Sequence, residues 1–232
     1  MKETRIIMGM PVIVEIIDAN ATNKAFEEVF NYLHYVDEKF STYKDSSEIT
    51  KINNGEIREE NYSEDMKEVF KLSEETKNET NGYFDIKTPS GKIDPSGLVK
   101  GLAIYNSAKL LEKRGFNNYY VEVAGDIQVH GKNSQGKNWR IGIRNPFNMK
   151  EIIKVLYIHD KGVATSGTYV RGQHVYNPHE GKEPVTEILS LTVIGPNIYE
   201  ADRFATAVFA MGEKGITFME NLKGFEAYAV NN

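Results

Sequence analysis

Tyr119-Tyr120-Val121-Glu122-Val123, followed closely by Ile127-Gln128-Val129, decides the fold. Apolar side chains return here at every second position, the period of a strand. The same reading holds for Trp139-Arg140-Ile141-Gly142-Ile143, Val155-Leu156-Tyr157-Ile158, Gly162-Val163-Ala164-Thr165 and 188–194. Their spacing and turn residues predict mostly antiparallel neighbours. Upstream, the period is helical. Phe26, Val29, Phe30, Leu33, Val36 and Phe40 form one stripe of a helix beginning near Asn23. A second helix starts near Ser63, turns Met66, Val69, Phe70 and Ser73 inward, and stops before Thr80-Asn81-Gly82. A third follows Asp94-Pro95-Ser96-Gly97, with Leu98, Val99, Leu102, Ala103, Leu110 and Leu111 on its buried side, and ends at Gly115.

A strand over Val12-Ile13-Val14-Glu15-Ile16-Ile17 precedes these helices, and a polar loop, 41–47, leads to a short helical pattern from Glu48 toward Asn53. Helices over 199–211 and 214–222 and a strand over 225–230 close the chain. Helices first, strands later and helices again describe an α+β fold, a mostly antiparallel sheet with helices packed around it. Residues 1–232 are expected to form one compact domain, without repeats or linkers.

The 232 residues carry 28 Lys and Arg against 33 Asp and Glu, a formal net charge of −5, with 40% hydrophobic residues to build a core. That balance argues against a main partner as anionic as duplex DNA, and so against nucleic acid. There is no cysteine, which excludes disulfides, thiolate metal sites and a cysteine nucleophile. Any metal must be held by oxygen or by the 5 histidines. No apolar run is long enough to span a membrane, and no signal-peptide core follows Met1.

Four patches could carry chemistry. At Asp94-Pro95-Ser96-Gly97-Leu98-Val99-Lys100-Gly101 a helix start with a lysine one turn in suits a phosphate, although taken alone the patch reads first as an ordinary capped helix. In Glu200-Ala201-Asp202-Arg203-Phe204-Ala205-Thr206, Asp202 and Thr206 lie four apart on one helix face. Both are hard oxygen donors that suit Mg²⁺ completed by water and a phosphate; a dipole-complementing carboxylate and a gap-filling threonine are the alternative. Thr165 and its neighbours at a strand end could bind a ligand, with His174 placed to move a proton or to serve a purely structural role. Asn81-Gly82-Tyr83-Phe84-Asp85, with Tyr43, could sandwich a flat ring and accept its N–H groups, or supply core and turn.

Taken in order, these patches resemble the ApbE family of flavin transferases, over nearly the whole chain from about Met8 to Gly212. The resemblance rests on Met8-Gly9, Phe40-Ser41-Thr42-Tyr43, Ser47-Glu48-Ile49 through Asn53, Gly82-Tyr83-Phe84-Asp85, Asp94 to Gly101, Ala124-Gly125-Asp126, Ala164-Thr165-Ser166-Gly167, His174 to Pro178, and Ala201-Asp202 to Thr206. It implies transfer of FMN from FAD to a threonine or serine of an acceptor flavoprotein, with AMP released and Mg²⁺ required. Met8, Tyr43, Tyr83, Phe84, Asp85, Asp94, Lys100, Thr165 and Val175 would contact FAD, Lys100 near the diphosphate. Asp202, Thr206 and carbonyls near Gly97 and Ala205 would hold the metal. His174 would assist deprotonation of the acceptor hydroxyl, so that His174, Asp202 and Lys100 form the catalytic set.

Three positions depart from the family pattern: Ala124 where a second glycine is usual, Asn177 where aspartate is common, and Met10 where threonine follows Met8-Gly9. The altered glycine motif keeps open a non-catalytic FAD-binding protein, and water as acceptor would make the chain an FAD diphosphatase. Lacking the exported lipoprotein leader and its cysteine, the chain is expected to be cytoplasmic as it stands, or an exported form with the leader removed.

Overall fold

The computed structural model describes residues 1–167, 177–179 and 188–231. Two strands, β1 (Lys2–Ile7) and β2 (Met10–Ile16), open the chain. Helices α1 (Asn23–Phe40), α2 (Glu48–Asn53), α3 (Glu64–Glu79) and α4 (Ser96–Lys113) follow. Then come β3 (Tyr119–Val123), β4 (Asp126–His130), β5 (Trp139–Asn145), β6 (Asn148–Ile158) and β7 (Gly162–Gly167). Last are β8 (Ile188–Gly195), α5 (Ile198–Ala210), α6 (Lys214–Glu220) and β9 (Glu226–Asn231). This is the α+β arrangement expected.

Seven strands form one sheet in the order β1-β2-β3-β4-β7-β8-β9, every neighbouring pair antiparallel. β5 and β6 form a separate two-stranded hairpin. The central strands are covered on both sides. On one side Val121, Val123, Leu191 and Val193 pack with Phe26, Phe30, Leu98, Ile104 and Phe209 of the helices. On the other, Ile127, Val129 and Val163 meet Trp139, Ile141, Ile143, Leu156 and Ile158 of the hairpin. Two-sided burial explains why β8 reads as an apolar run rather than a strict alternation.

The helix ends follow from local chemistry. Ser47 and Ser63 cap α2 and α3, their hydroxyls accepting the Thr50 and Met66 amides at 3.1 and 3.3 Å. α4 differs by one position from the expected start. Pro95 occupies the cap position, and Asp94, one residue earlier, accepts the Ser96 amide at 3.0 Å. Leu102 and Leu110 are half-buried rather than core, since the helix is covered by α1 and α5 on only part of its circumference. β1 is not resolved as a separate strand by periodicity, because its residues alternate between exposed and half-buried at the edge of the sheet.

Candidate active site

A cleft of about 830 Å³ opens between the start of α4, the α5 face, the ends of β3, β4 and β7, and the β5–β6 hairpin. α4 and α5 approach so closely that the Gly101 amide donates to Asp202 Oδ2 at 2.8 Å. A Cβ on Gly101 would stand 2.6 Å from the Asp202 Cβ, so only glycine permits this crossing. One turn further along α5, the Thr206 hydroxyl lies 3.4 Å from the Gly97 carbonyl oxygen. Asp202 is a buried carboxylate, at 4% exposure, on the wall of the cleft.

Lys100 projects from α4 and forms an ion pair with Asp126 at the start of β4. Asp126 is 2% exposed, and its other oxygen accepts the Thr165 amide of β7 at 3.0 Å. The Thr165 and Thr192 hydroxyls are themselves 2.9 Å apart, across the β7–β8 pair. Thus a helix, a hairpin turn and two sheet strands are tied around one ammonium. The β3–β4 register pairs Val123 with Asp126 and leaves Ala124 and Gly125 as a two-residue turn. Both have positive φ, 52° and 94°, the signature of a type I′ hairpin.

The aromatic segment is held by side-chain bonds to backbone. Thr80, fully buried, donates to the Thr76 carbonyl at 2.7 Å and accepts the Phe84 amide at 3.1 Å. Asp85 pairs with Lys77 at 2.8 Å and caps the Lys87 amide. The Asp94 amide donates to the Ile86 carbonyl at 2.7 Å, which sets Phe84 and Asp85 beside the start of α4. Asn53 clamps the same loop from α2: its amide donates to the Ile93 carbonyl and its oxygen accepts the Ile93 amide, at 2.8 and 2.7 Å. Glu48 likewise accepts both the amide and the hydroxyl of Ser63. The Ser47 to Asn53 motif therefore serves as scaffold.

Of the residues singled out from sequence, Tyr83, Phe84, Asp85, Asp94, Gly97, Lys100, Thr165, Asp202 and Thr206 line the cleft. Three do not. Tyr43 is 96% exposed in the loop 41–47, whose ends are drawn together by the Ser47 hydroxyl donating to the Ser41 carbonyl, leaving the ring in solvent. Met8 sits in the β1–β2 turn with its side chain against the core, while its neighbours Gly9 and Met10 reach the cleft. Ala205 is fully buried within α5. His174 and Val175 lie outside the described residues.

Several lining residues escaped sequence reasoning. Arg140 and Arg144 stand on β5, alternating with the buried Ile141 and Ile143. That alternation is visible in the sequence as Arg-Ile-Gly-Ile-Arg, but that this strand, including Ile141, Gly142 and Ile143, borders the cleft is a tertiary fact. Tyr120 and Glu122, hydrogen-bonded to each other on β3, form another part of the wall. Burial, reinforced by the Glu122 charge, pushes the Tyr120 phenol well above its ordinary value, so it remains a protonated donor. Asp126 closes the Ala124-Gly125-Asp126 motif, and only the tertiary structure brings it to Lys100.

A large cleft with a helix start and an ammonium at one end, an aromatic segment, and a carboxylate beside a hydroxyl suits a nucleotide-like ligand with a charged centre and flat ends. The sequence profile described as ApbE family matches residues 8–89 and 86–229. The chain belongs to the ApbE family. Among its relatives, the FAD:protein FMN transferase of Escherichia coli (strain K12) is 29% identical over 157 residues, 64% of this chain and 45% of that protein. That of Haemophilus influenzae is 33% identical over 135 residues, 54% of this chain and 39% of that one. The chain thus matches less than half the length of these curated relatives. The flavin transferase ApbE from Vibrio cholerae superposes with a TM-score of 0.84 over 99% of this chain and 96% of that structure, at 23% identity. That likeness establishes the ApbE fold.

Proposed function

We propose that this chain transfers FMN from FAD to a threonine or serine hydroxyl of an acceptor flavoprotein, releasing AMP, with the aid of a divalent cation. The observation that carries the reading is the convergence of Lys100 and the α4 start with Asp202 and Thr206 on one cleft wall, beside Tyr83-Phe84-Asp85. It is supported by family membership and by relatives that bear this activity in their names.

The residues divide the work. Lys100, oriented by Asp126, neutralises diphosphate oxygens together with the amides at the α4 start. Tyr83, partly exposed beside the buried Phe84, offers its ring to a flat ring, and Asp85 accepts from its N–H groups. Arg140 and Arg144 add positive charge on the opposite, hairpin wall.

The donor set fits a hard cation. Asp202, the Thr206 hydroxyl and the Gly97 carbonyl offer oxygen alone, as Mg²⁺ requires. Among the described residues no three carboxylates or histidines converge to hold an ion by themselves, which accords with a site completed by substrate oxygens. When bound there, the cation would withdraw charge from the diphosphate. The bond made is from the acceptor oxygen to the riboflavin-side phosphorus, and the bond broken is the anhydride to AMP.

Incubation with FAD, Mg²⁺ and a flavin-acceptor domain is expected to give an acceptor heavier by one FMN in the mass spectrum. If neither labelled acceptor nor AMP appears, this reading ends. AMP with free FMN and no labelled acceptor selects the diphosphatase instead.

A further inference from the structure

We infer that the β5–β6 hairpin is the docking surface for the acceptor protein, and that it receives an acidic, partly apolar segment beside the acceptor hydroxyl. The inference rests on the transferase reading and adds to it where the acceptor binds. Three observations carry it.

The first is continuity. Arg140, Arg144, Met149 and Ile152 of the hairpin line the cleft itself, so a chain delivering a hydroxyl past this rim meets the hairpin. The second is apolar exposure in the wrong place for a free surface. Phe147 is 67% exposed, Tyr157 68%, and Met149, Ile152 and Ile153 between 41% and 47%. These five are half of the ten large exposed hydrophobics among the described residues, gathered on one twenty-residue hairpin. From Asn148 to Lys154 every residue of β6 is exposed, although the other end of the same strand, at Leu156 and Ile158, is buried in the core. A cluster of this kind marks an interaction site rather than scatter.

The third is charge. The chain has a net charge of −5, yet the hairpin carries four cations, Arg140, Arg144, Lys150 and Lys154, against one carboxylate, Glu151. All four cations are exposed, which favours an acidic partner and disfavours a second copy of the same cationic face. The Arg140–Tyr157 cross-strand pair puts a cation and an exposed ring on one side of the ladder.

The test uses the full chain at saturating FAD and Mg²⁺, with a purified flavoprotein domain that acquires phosphoester-linked FMN on a threonine in its producing cell. Two double variants change only residues outside the cleft lining: Phe147→Ser with Ile153→Ser, and Lys150→Glu with Lys154→Glu. Each is expected to raise the acceptor KM about tenfold while kcat and FAD affinity stay within about twofold. Added salt should raise the acceptor KM of the unaltered chain and have little effect on the charge-reversed variant. FAD affinity reports folding, so if one pair unfolds the chain the other decides. An unchanged acceptor KM in the folded variants overturns the docking assignment alone. A dimer that dissociates in Phe147→Ser/Ile153→Ser with no change in acceptor KM assigns the face to self-association and also overturns it. Failure of the unaltered chain to label the acceptor ends the transferase reading, and the docking inference with it.

Discussion

Gly101 and Asp202, 101 residues apart, are joined by an amide-to-carboxylate hydrogen bond of 2.8 Å that fixes the crossing of α4 over α5. Gly101→Ala would drive a methyl group to 2.6 Å from the Asp202 Cβ and to 3.0 Å from the Ile198 carbonyl oxygen. The helices must separate, at a cost of about 2–3 kcal/mol. Thermal unfolding should fall by roughly 4–12 °C for a chain of this size, and FMN transfer should be lost in the same variant.

Asp202→Ala removes the carboxylate that shares the cleft wall with Thr206 and Gly97. Metal-dependent turnover is expected to disappear, with FAD still bound through Lys100 and the aromatic segment. A titration of activity against Mg²⁺ checks it; turnover retained at any Mg²⁺ concentration refutes the role given to Asp202.

Lys100→Ala leaves the Asp126 carboxylate, 2% exposed, without its ammonium. Because the ammonium is itself partly exposed, the loss is set at about 2–3 kcal/mol of stability, below that of a fully buried pair. FAD affinity should weaken more than kcat changes. Combining Lys100→Met with Asp126→Asn should recover most of the stability and none of the affinity, a separation that chemical denaturation and FAD titration measure side by side.

Ala124 has φ of 52°, left-handed backbone that glycine adopts without steric cost. Ala124→Gly should stabilise the chain by about 0.5–1 kcal/mol, the steric relief exceeding the entropy glycine adds to the unfolded chain. A melting temperature that falls would contradict the turn assignment.

Asp65 accepts from the Lys39 ammonium at 2.8 Å and from the Tyr35 hydroxyl, and these bonds hold its carboxyl below the ordinary value of 3.8. A carboxylate depressed on folding contributes stability that is complete above the unfolded value and lost as pH falls through the folded one. Asp65→Asn should therefore flatten the decline of melting temperature below pH 3.8 and lower it little at pH 2. Equal slopes in both proteins would rule out the linkage.

Much of the fold is legible in the local pattern. The change of period at Tyr119, the serines before α2 and α3 and the glycine after α4 each act within a few residues, so they place elements without reference to the rest of the chain. β1 escapes because an edge strand lacks an apolar face strong enough to register. Most of the cleft residues were also legible, yet as separate patches, each with an ordinary structural explanation.

Sequence by itself determined the α+β order of elements, the restriction of any metal to oxygen or histidine ligands in a chain without cysteine, and the motifs that mark the ApbE family. Tertiary structure alone decided that Lys100 meets Asp126, that Gly101 lets α4 reach Asp202, that Arg140 and Arg144 border the cleft and that Tyr43 does not. The reason is range. Periodicity and capping are set by neighbours within one or two turns, whereas these contacts join residues from 26 to 101 positions apart, whose approach depends on how sheet, helices and hairpin pack.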